Sequence, residues 1–317
     1  MSPTGKLESL QDAYGTALAD LGERDANLVV VDSTASDSTR TVPFRARFPD
    51  RFFPVAGKES TLVPKATELA LTGRTVFAST IATLAAGPAY HSIRESVCYH
   101  RANVTIVATH GGPRVGGEGG TPPMLEDIGL MRGLPGMTVV VPADAPSARA
   151  AVFAIAAQGG PAYLRLSLEE LPTVSDGSFQ IGRAAELRAG SDLTIIAVGA
   201  LVARGLEVAE ELAQVGVSVR VLDLASVKPF DQPTVLRAAR ETGALLVLEE
   251  HTVTTGVGAM VAAATSENYP VPVRRVGVPD VFVDSAEPGT ILDRFGMSNE
   301  RTRDEAWELL KLRGKVQ

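Results

Sequence analysis

The chain has 317 residues, of which 45% are hydrophobic and 21% charged, and a formal net charge of −7. That length and apolar content can bury a large core and suggest two domains, while the negative charge and the want of any basic run exclude a nucleic-acid binder, since nothing neutralises phosphates. One cysteine, Cys98, leaves no intrachain disulfide and no thiolate zinc cluster; with no signal-peptide pattern and no apolar run near the ~20 residues that span a bilayer, a cytoplasmic location is expected.

In chain order, short β-rich apolar runs alternate with helical patterns. NLVVVDS (27–33) comes first, followed by GKESTLVPKATELALTG (57–73), whose Leu62, Val63, Ala66, Leu69 and Ala70 fall at helical spacing behind Glu59. TVFAST (75–80), NVTIVATH (103–110), MTVVVP (137–142) and AYLRLS (162–167) follow. Continuous apolar strands separated by helices predict a parallel sheet covered on both faces. In ADAPSARAAVFAIAAQGG (143–160), Asp144 suits a cap, Pro146 the first turn and Gly159 the stop. A polar stretch (172–192) then breaks the rhythm, and the domain boundary is placed there, giving domains 1–178 and 179–317. LTIIAVG (193–199), VSVRVLDL (217–224), ALLVLEE (244–250) and VRRVGVP (273–279) read as the strands of a second α/β domain.

Two residues stand out chemically. Glu59 is either an ordinary helix-start acid, favoured there by the macrodipole, or a site residue. His110 ends a strand and opens a loop with six glycines at 111, 112, 116, 117, 119 and 120; it is either a satisfied strand-end histidine or a ligand contact, because open α/β sheets bind small molecules at the carboxyl ends of their strands. The glycines match no phosphate-binding fingerprint, and those of TTGVGAMVAAA (254–264) are read as helix packing. There is no G-x-S-x-G and no H-E-x-x-H, and histidines at 91, 100, 110 and 251 are too scattered for a metal site. His251, which also ends a strand, is the only other histidine of interest.

The order of motifs is more specific than any one of them. LQDAYGTALADLGERDANLVVVDSTASDSTRTVPFRARFPDRFFPVAGKES, LALTGRTVFAST, AYHSIRESV, NVTIVATHGG and GMTVVVPADA together resemble the pyrimidine-binding domain of the transketolase family. VRVLDLASVKPFD, LLVLEEHTVTTGVGAMVA and VGVPDVFVDSAEPGTILDRFGMS resemble its C-terminal domain, so the likeness spans nearly the whole chain. The resemblance implies two doubly wound α/β domains with mainly parallel sheets, thiamine diphosphate as cofactor, and transfer of a two-carbon ketol or acyl unit from a ketose or 2-oxo acid donor to an aldehyde acceptor. In the family the diphosphate and Mg2+ are held by a domain carrying G-D-G, which this sequence lacks. It therefore resembles the C-terminal subunit of a split transketolase, with the diphosphate-binding N-terminal subunit supplied by a partner in an α2β2 heterotetramer.

Residue by residue, Glu59 falls on the glutamate that hydrogen-bonds the cofactor's N1′, and His110 on a substrate-contacting histidine. The aromatic residues that stack on the pyrimidine correspond to Ile81 and Leu84, which offer aliphatic contact without the ring stack's ~0.5–1.5 kcal/mol. In the glycine loop Glu118 takes the acidic position, and Pro122 stands where a donor-contacting histidine would be. Two phosphate-gripping arginines correspond to Gln11 and Leu168, while their serine partner survives as Ser38. These departures predict an atypical acceptor that need not carry phosphate. The β subunit of a 2-oxo acid dehydrogenase E1 component, and a regulatory subunit with a degenerate site, are the competing expectations.

Overall fold

The computed structural model of the chain describes residues 4–33, 36–55, 59–113, 123–282 and 292–314. Its strands are β1 Thr4–Ser9, β2 Leu28–Asp32, β3 Phe52–Pro54, β4 Thr75–Ile81, β5 Val104–Thr109, β6 Thr138–Val140, β7 Ala162–Arg165, β8 Glu170–Thr173, β9 Ala185–Arg188, β10 Leu193–Ala197, β11 Val219–Asp223, β12 Ser226–Lys228, β13 Leu245–Thr252 and β14 Val273–Val278. The helices are α1 Leu10–Arg24, α2 Ser36–Thr39, α3 Val42–Arg47, α4 Glu59–Leu71, α5 Ala82–Ala86, α6 Tyr90–Ser92, α7 Asp127–Arg132, α8 Ala145–Gln158, α9 Leu201–Ala213, α10 Gln232–Thr242 and α11 Val257–Asn268, with a last helix at Asn299–Leu312. None of the described helices is long and apolar enough to cross a membrane.

The first sheet has seven strands in the order β12-β6-β7-β5-β4-β2-β3. Every pairing from β6 to β3 is parallel. Alternate residues of its central strands serve opposite faces, as a period of two requires. Leu28, Val30, Phe77 and Val107 pack with α1 and α8, whereas Val29, Val31, Val76 and Ile106 pack with Leu62, Val63 and Ala66 of α4. The capping expected for α8 is present: Asp144 accepts from the Ser147 N–H at 2.9 Å, and Gly159 closes the helix at φ 70°. The same carboxylate also accepts from the Val174 and Ser175 N–H groups, tying α8 to the chain just beyond β8.

The second sheet runs β14-β13-β10-β11-β9, parallel except for β9. One of its faces packs on α9 and the last helix. Residues of the other, including Ile196, Leu222 and Val247, join the cluster that contains Val29 and Leu62, so one core runs through both sheets. Two details go beyond the sequence reading. The polar stretch 172–192 is not merely connecting chain, because it contains β9, an edge strand that needs only one neighbour and so shows no continuous apolar run. In addition β12, which follows the second domain's β11, pairs antiparallel with β6 of the first sheet. Lys228 fixes that crossing by donating to the carbonyls of Arg132 (2.9 Å) and Leu134 (2.5 Å).

Candidate functional site

The carboxyl edge of the first sheet gathers most of the residues singled out above. Ile81, the last residue of β4, lies in register with Thr109, the last of β5, which puts Ile81 beside His110. Leu84 is one turn farther on, in α5, and both aliphatic side chains are half-buried. Since α4 connects the parallel strands β3 and β4, its N-terminus must lie at this same edge, and Glu59 is its first residue. The Glu59 side chain lies outside what the structure describes, as do Glu118 and Pro122.

The other positions converge from the flanks. Asp32 ends β2 fully buried and accepts from the Thr39 and Thr41 hydroxyls, each at 2.6 Å. These two bonds fold α2 back over the strand end, and Ser38 comes with it. Gln11, in the first turn of α1, is buried, and its Nε2 donates to the Ser167 carbonyl at 3.3 Å. That bond brings Gln11 next to Leu168, so the two positions expected from the resemblance to bound the acceptor end are neighbours here.

His110 has φ 60°, a left-handed conformation costly for a residue with a Cβ and one that tends to mark functional sites. Its Nδ1 is 2.8 Å from the Thr109 hydroxyl, which in turn donates to the Thr80 carbonyl at 3.3 Å. Beneath the next two residues lies a group that the sequence reading passed over. Arg165, at the end of β7 and 3% exposed, donates from Nε to Asp127 Oδ2 at 2.9 Å and from Nη2 to the Glu250 carbonyl at 3.0 Å. Tyr163 donates to the same Asp127 oxygen at 2.8 Å. Burial works against the Arg165 charge, but the neighbouring acids Asp127 and Glu250 overcome it and hold its pKa above the ordinary value. The signal was available: an arginine inside an otherwise apolar strand is a buried charge that needs a partner.

Other candidates resolve as structural. His251 is neutral: its Nδ1 donates to the Thr252 carbonyl (2.9 Å), its Nε2 accepts from the Gly129 N–H (3.1 Å), and burial lowers its pKa. Burial pushes the Cys98 thiol up to about 11, which suppresses the thiolate a nucleophile needs. The glycines at 256 and 258 do more than pack a helix. They let Glu249 reach the N-terminus of α11, where it accepts from the Val257 (2.6 Å) and Gly258 (3.0 Å) N–H groups; a Cβ at position 256 would collide with the carboxylate. Among the described residues no three His, Cys, Asp or Glu side chains gather as a metal site.

Asp223, at the end of β11, borders a cavity of about 320 Å³ together with Ser147, Ser175 and Arg183. Burial, reinforced by the Asp144 charge, raises its pKa from 3.8 to about 8, and its Oδ1 has no hydrogen-bond partner among the described residues. A carboxyl whose folded pKa is raised retains a proton that the unfolded chain has lost, so stability falls as pH rises from about 4 to 8. Asp223→Asn is expected to remove that slope, at most about 6 kcal/mol at ~1.4 kcal/mol per pH unit. Urea unfolding of parent and variant at pH 5 and pH 8.5 checks this; equal losses of stability in the two proteins would contradict it.

Comparison with known proteins agrees with this architecture. Residues 8–173 match the model of the transketolase pyrimidine-binding domain, and residues 182–301 match that of the transketolase C-terminal domain. A putative transketolase C-terminal section of Methanocaldococcus jannaschii is 34% identical, covering 97% of this chain and 98% of its own length. The 6-deoxy-6-sulfo-D-fructose transketolase subunit SqwH of Clostridium sp. strain MSTE9 is 35% identical, over 92% of each chain. A solved split-gene transketolase, described as an inactive β4 tetramer, superposes with a TM-score of 0.90 at 41% identity, covering 96% of this chain and 99% of its own. With both of its domains matched, in order, by one family's models and more than nine-tenths of its length by split transketolase subunits, the chain belongs to the transketolase family.

Proposed function

We propose that this chain is the pyrimidine-binding subunit of a two-component, thiamine diphosphate-dependent transketolase, active only when assembled with a diphosphate- and Mg2+-binding subunit as an α2β2 heterotetramer. The observation that carries the reading is the gathering at one sheet edge of the α4 N-terminus, the aliphatic pair Ile81 and Leu84, and a strained His110. An aromatic ring needs an apolar wall and an acid beside it; Ile81 and Leu84 supply the wall, and the α4 backbone brings its first residue, Glu59, to the same edge. Bound thiamine diphosphate supplies the electron sink through which a two-carbon unit is cleaved from a donor and passed to an acceptor.

The chain's own residues do the rest. Glu59 shares a proton with the ring's N1′, a task suited to a carboxyl whose surroundings favour its neutral form. Ile81 and Leu84 hold the ring by contact and keep water from it. His110 bonds the substrate, oriented through Thr109, and Ser38 bounds the acceptor end with Gln11 and Leu168. Glu118 and Pro122 are assigned to the donor side. The boundary between the two domains is proposed at residues 178 and 179, and cytoplasmic catalysis on small molecules is the expected setting.

Alone, the chain is expected to bind thiamine diphosphate weakly or not at all, since it offers the pyrimidine side of the site only. Titration calorimetry with Mg2+ present, on the chain alone and after mixing with its partner, checks this. Tight stoichiometric binding by the chain alone would sink the split-site reading; restoration by the partner supports it. Purified alone the chain is also expected to self-associate without turnover, in the manner of the related inactive β4 tetramer.

A further inference from the structure

We propose that Arg165 is the positioning residue of the His110 turn, and that through it the second domain acts on the reaction. The inference rests on the reading of His110 given above.

A left-handed residue with a Cβ persists only where its surroundings over-determine it, and three constraints meet here. The Gly111 N–H donates to the Leu166 carbonyl at 3.3 Å, stapling the turn to the end of β7. Gly112, at φ 98°, donates to the Met124 carbonyl at 3.1 Å. The guanidinium of Arg165 fills the space under both glycines: a Cβ at Gly111 would stand 2.5 Å from Nε, and one at Gly112 would stand 3.2 Å from Nη2. Gly111 is therefore glycine because the arginine is there.

Arg165 is itself held from two sides. Asp127, the first residue of α7, belongs to the first domain, and the Glu250 carbonyl belongs to the second. The second domain grips α7 and the chain just before it at three further points. His251 accepts from the Gly129 N–H, the Thr252 N–H donates to the Leu125 carbonyl at 2.8 Å, and Arg132 donates to the Thr255 carbonyl at 3.0 Å. A shift of β13 relative to the first sheet thus moves the acceptor of Arg165 and the helix bearing its counter-ion together, and the turn carrying His110 follows.

Two variants test this in the assembled enzyme: Gly111→Ala, which crowds the guanidinium, and Arg165→Lys, which keeps the charge but loses the planar fork. Each is expected to lower kcat/KM about 10- to 100-fold, since a displacement near 1 Å costs that much, with thiamine diphosphate affinity held within about twofold. In a His110→Asn background Gly111→Ala is expected to cost nothing further. Additive losses, or kcat/KM within about twofold of the parent, overturn the proposal as a role in stability alone. Hydrogen exchange of residues 109–112 in the isolated chain gives a readout independent of turnover. It is expected to quicken about tenfold or more in Arg165→Lys, and unchanged exchange overturns the inference. If the assembled parent transfers no two-carbon unit, the proposed reaction falls, and the exchange result still decides whether Arg165 holds the turn.

Discussion

Glu59→Gln is expected to abolish turnover of the assembled enzyme, by roughly 10²- to 10⁴-fold, while leaving its folding intact. The amide preserves the shape of the carboxyl and can still hydrogen-bond, but it cannot pass a proton to and from a ring nitrogen. Glu59 opens α4, a helix of 13 residues, so an ordinary helix-start acid would give the opposite balance. Its charge would contribute ~0.3–1 kcal/mol through the macrodipole, a change of a few degrees at most in Tm for a domain of this size, and nothing to the rate. Steady-state transfer and thermal unfolding of the same preparation separate the two. Near-normal turnover with partner, Mg2+ and cofactor present would falsify the mechanistic role.

Much of the fold is legible because its central strands are buried on both faces. Such strands as β2, β5 and β10 are buried at every residue and so read as near-continuous apolar runs, and no tertiary knowledge is needed to recognise them. The Asp144 cap and the Gly159 stop are likewise local chemistry. What the sequence hides is whatever depends on a distant partner. β12 has three residues, follows a strand of the second sheet and pairs with the first, and its assignment rests on Val139 and Val140, far away in the chain. β1 and β8 form a separate two-stranded ladder that draws on both ends of the first domain.

The site divides along the same line. Ile81 ends a strand while Leu84 and His110 follow strand ends, and the carboxyl edge of a parallel sheet collects them whatever their chemistry. Arg165 and Glu249 are harder to read, because each is a charged residue whose partner is set only by the fold. The partners are a carboxylate on α7 in one case and backbone N–H groups of α11 in the other. In both, nearby glycines are the sequence trace of a side chain that has to pass close to the backbone. Gly111 and Gly256 read alone suggest a flexible loop and a helix packing contact, and each instead leaves room for a specific charged group.

We propose that the acceptor is where this chain departs from its family, and there the expected effect is also large. Arginines at positions 11 and 168 would grip a sugar phosphate through two charge-assisted contacts of ~1.5–3 kcal/mol each, together several powers of ten in specificity if additive. Here Gln11 spends its amide on the Ser167 carbonyl, and the next residue, Leu168, presents a half-buried aliphatic chain. Because those positions adjoin, Gln11→Arg combined with Leu168→Arg places two guanidinium groups at one spot, and an arginine at 11 can still donate to Ser167. The double variant is expected to raise kcat/KM for a phosphorylated aldehyde about 100-fold or more, with little gain on its unphosphorylated counterpart. The parent is expected to show no strong preference for phosphate. Arg40 is the cation to control for: it follows Ser38 by two residues, pairs with Asp12 at 3.3 Å and borders a cavity of about 430 Å³ with Thr16 and Asp37. Its partner is half-exposed, so the pair itself is weak and the guanidinium is available to an anion. Specificity constants for matched aldehydes, measured on the parent, the double variant and Arg40→Ala, decide the matter. A strong preference for the phosphorylated acceptor in the parent, surviving in Gln11→Ala and Ser38→Ala but lost in Arg40→Ala, would place phosphate recognition on Arg40 and overturn the inference drawn from the missing arginines.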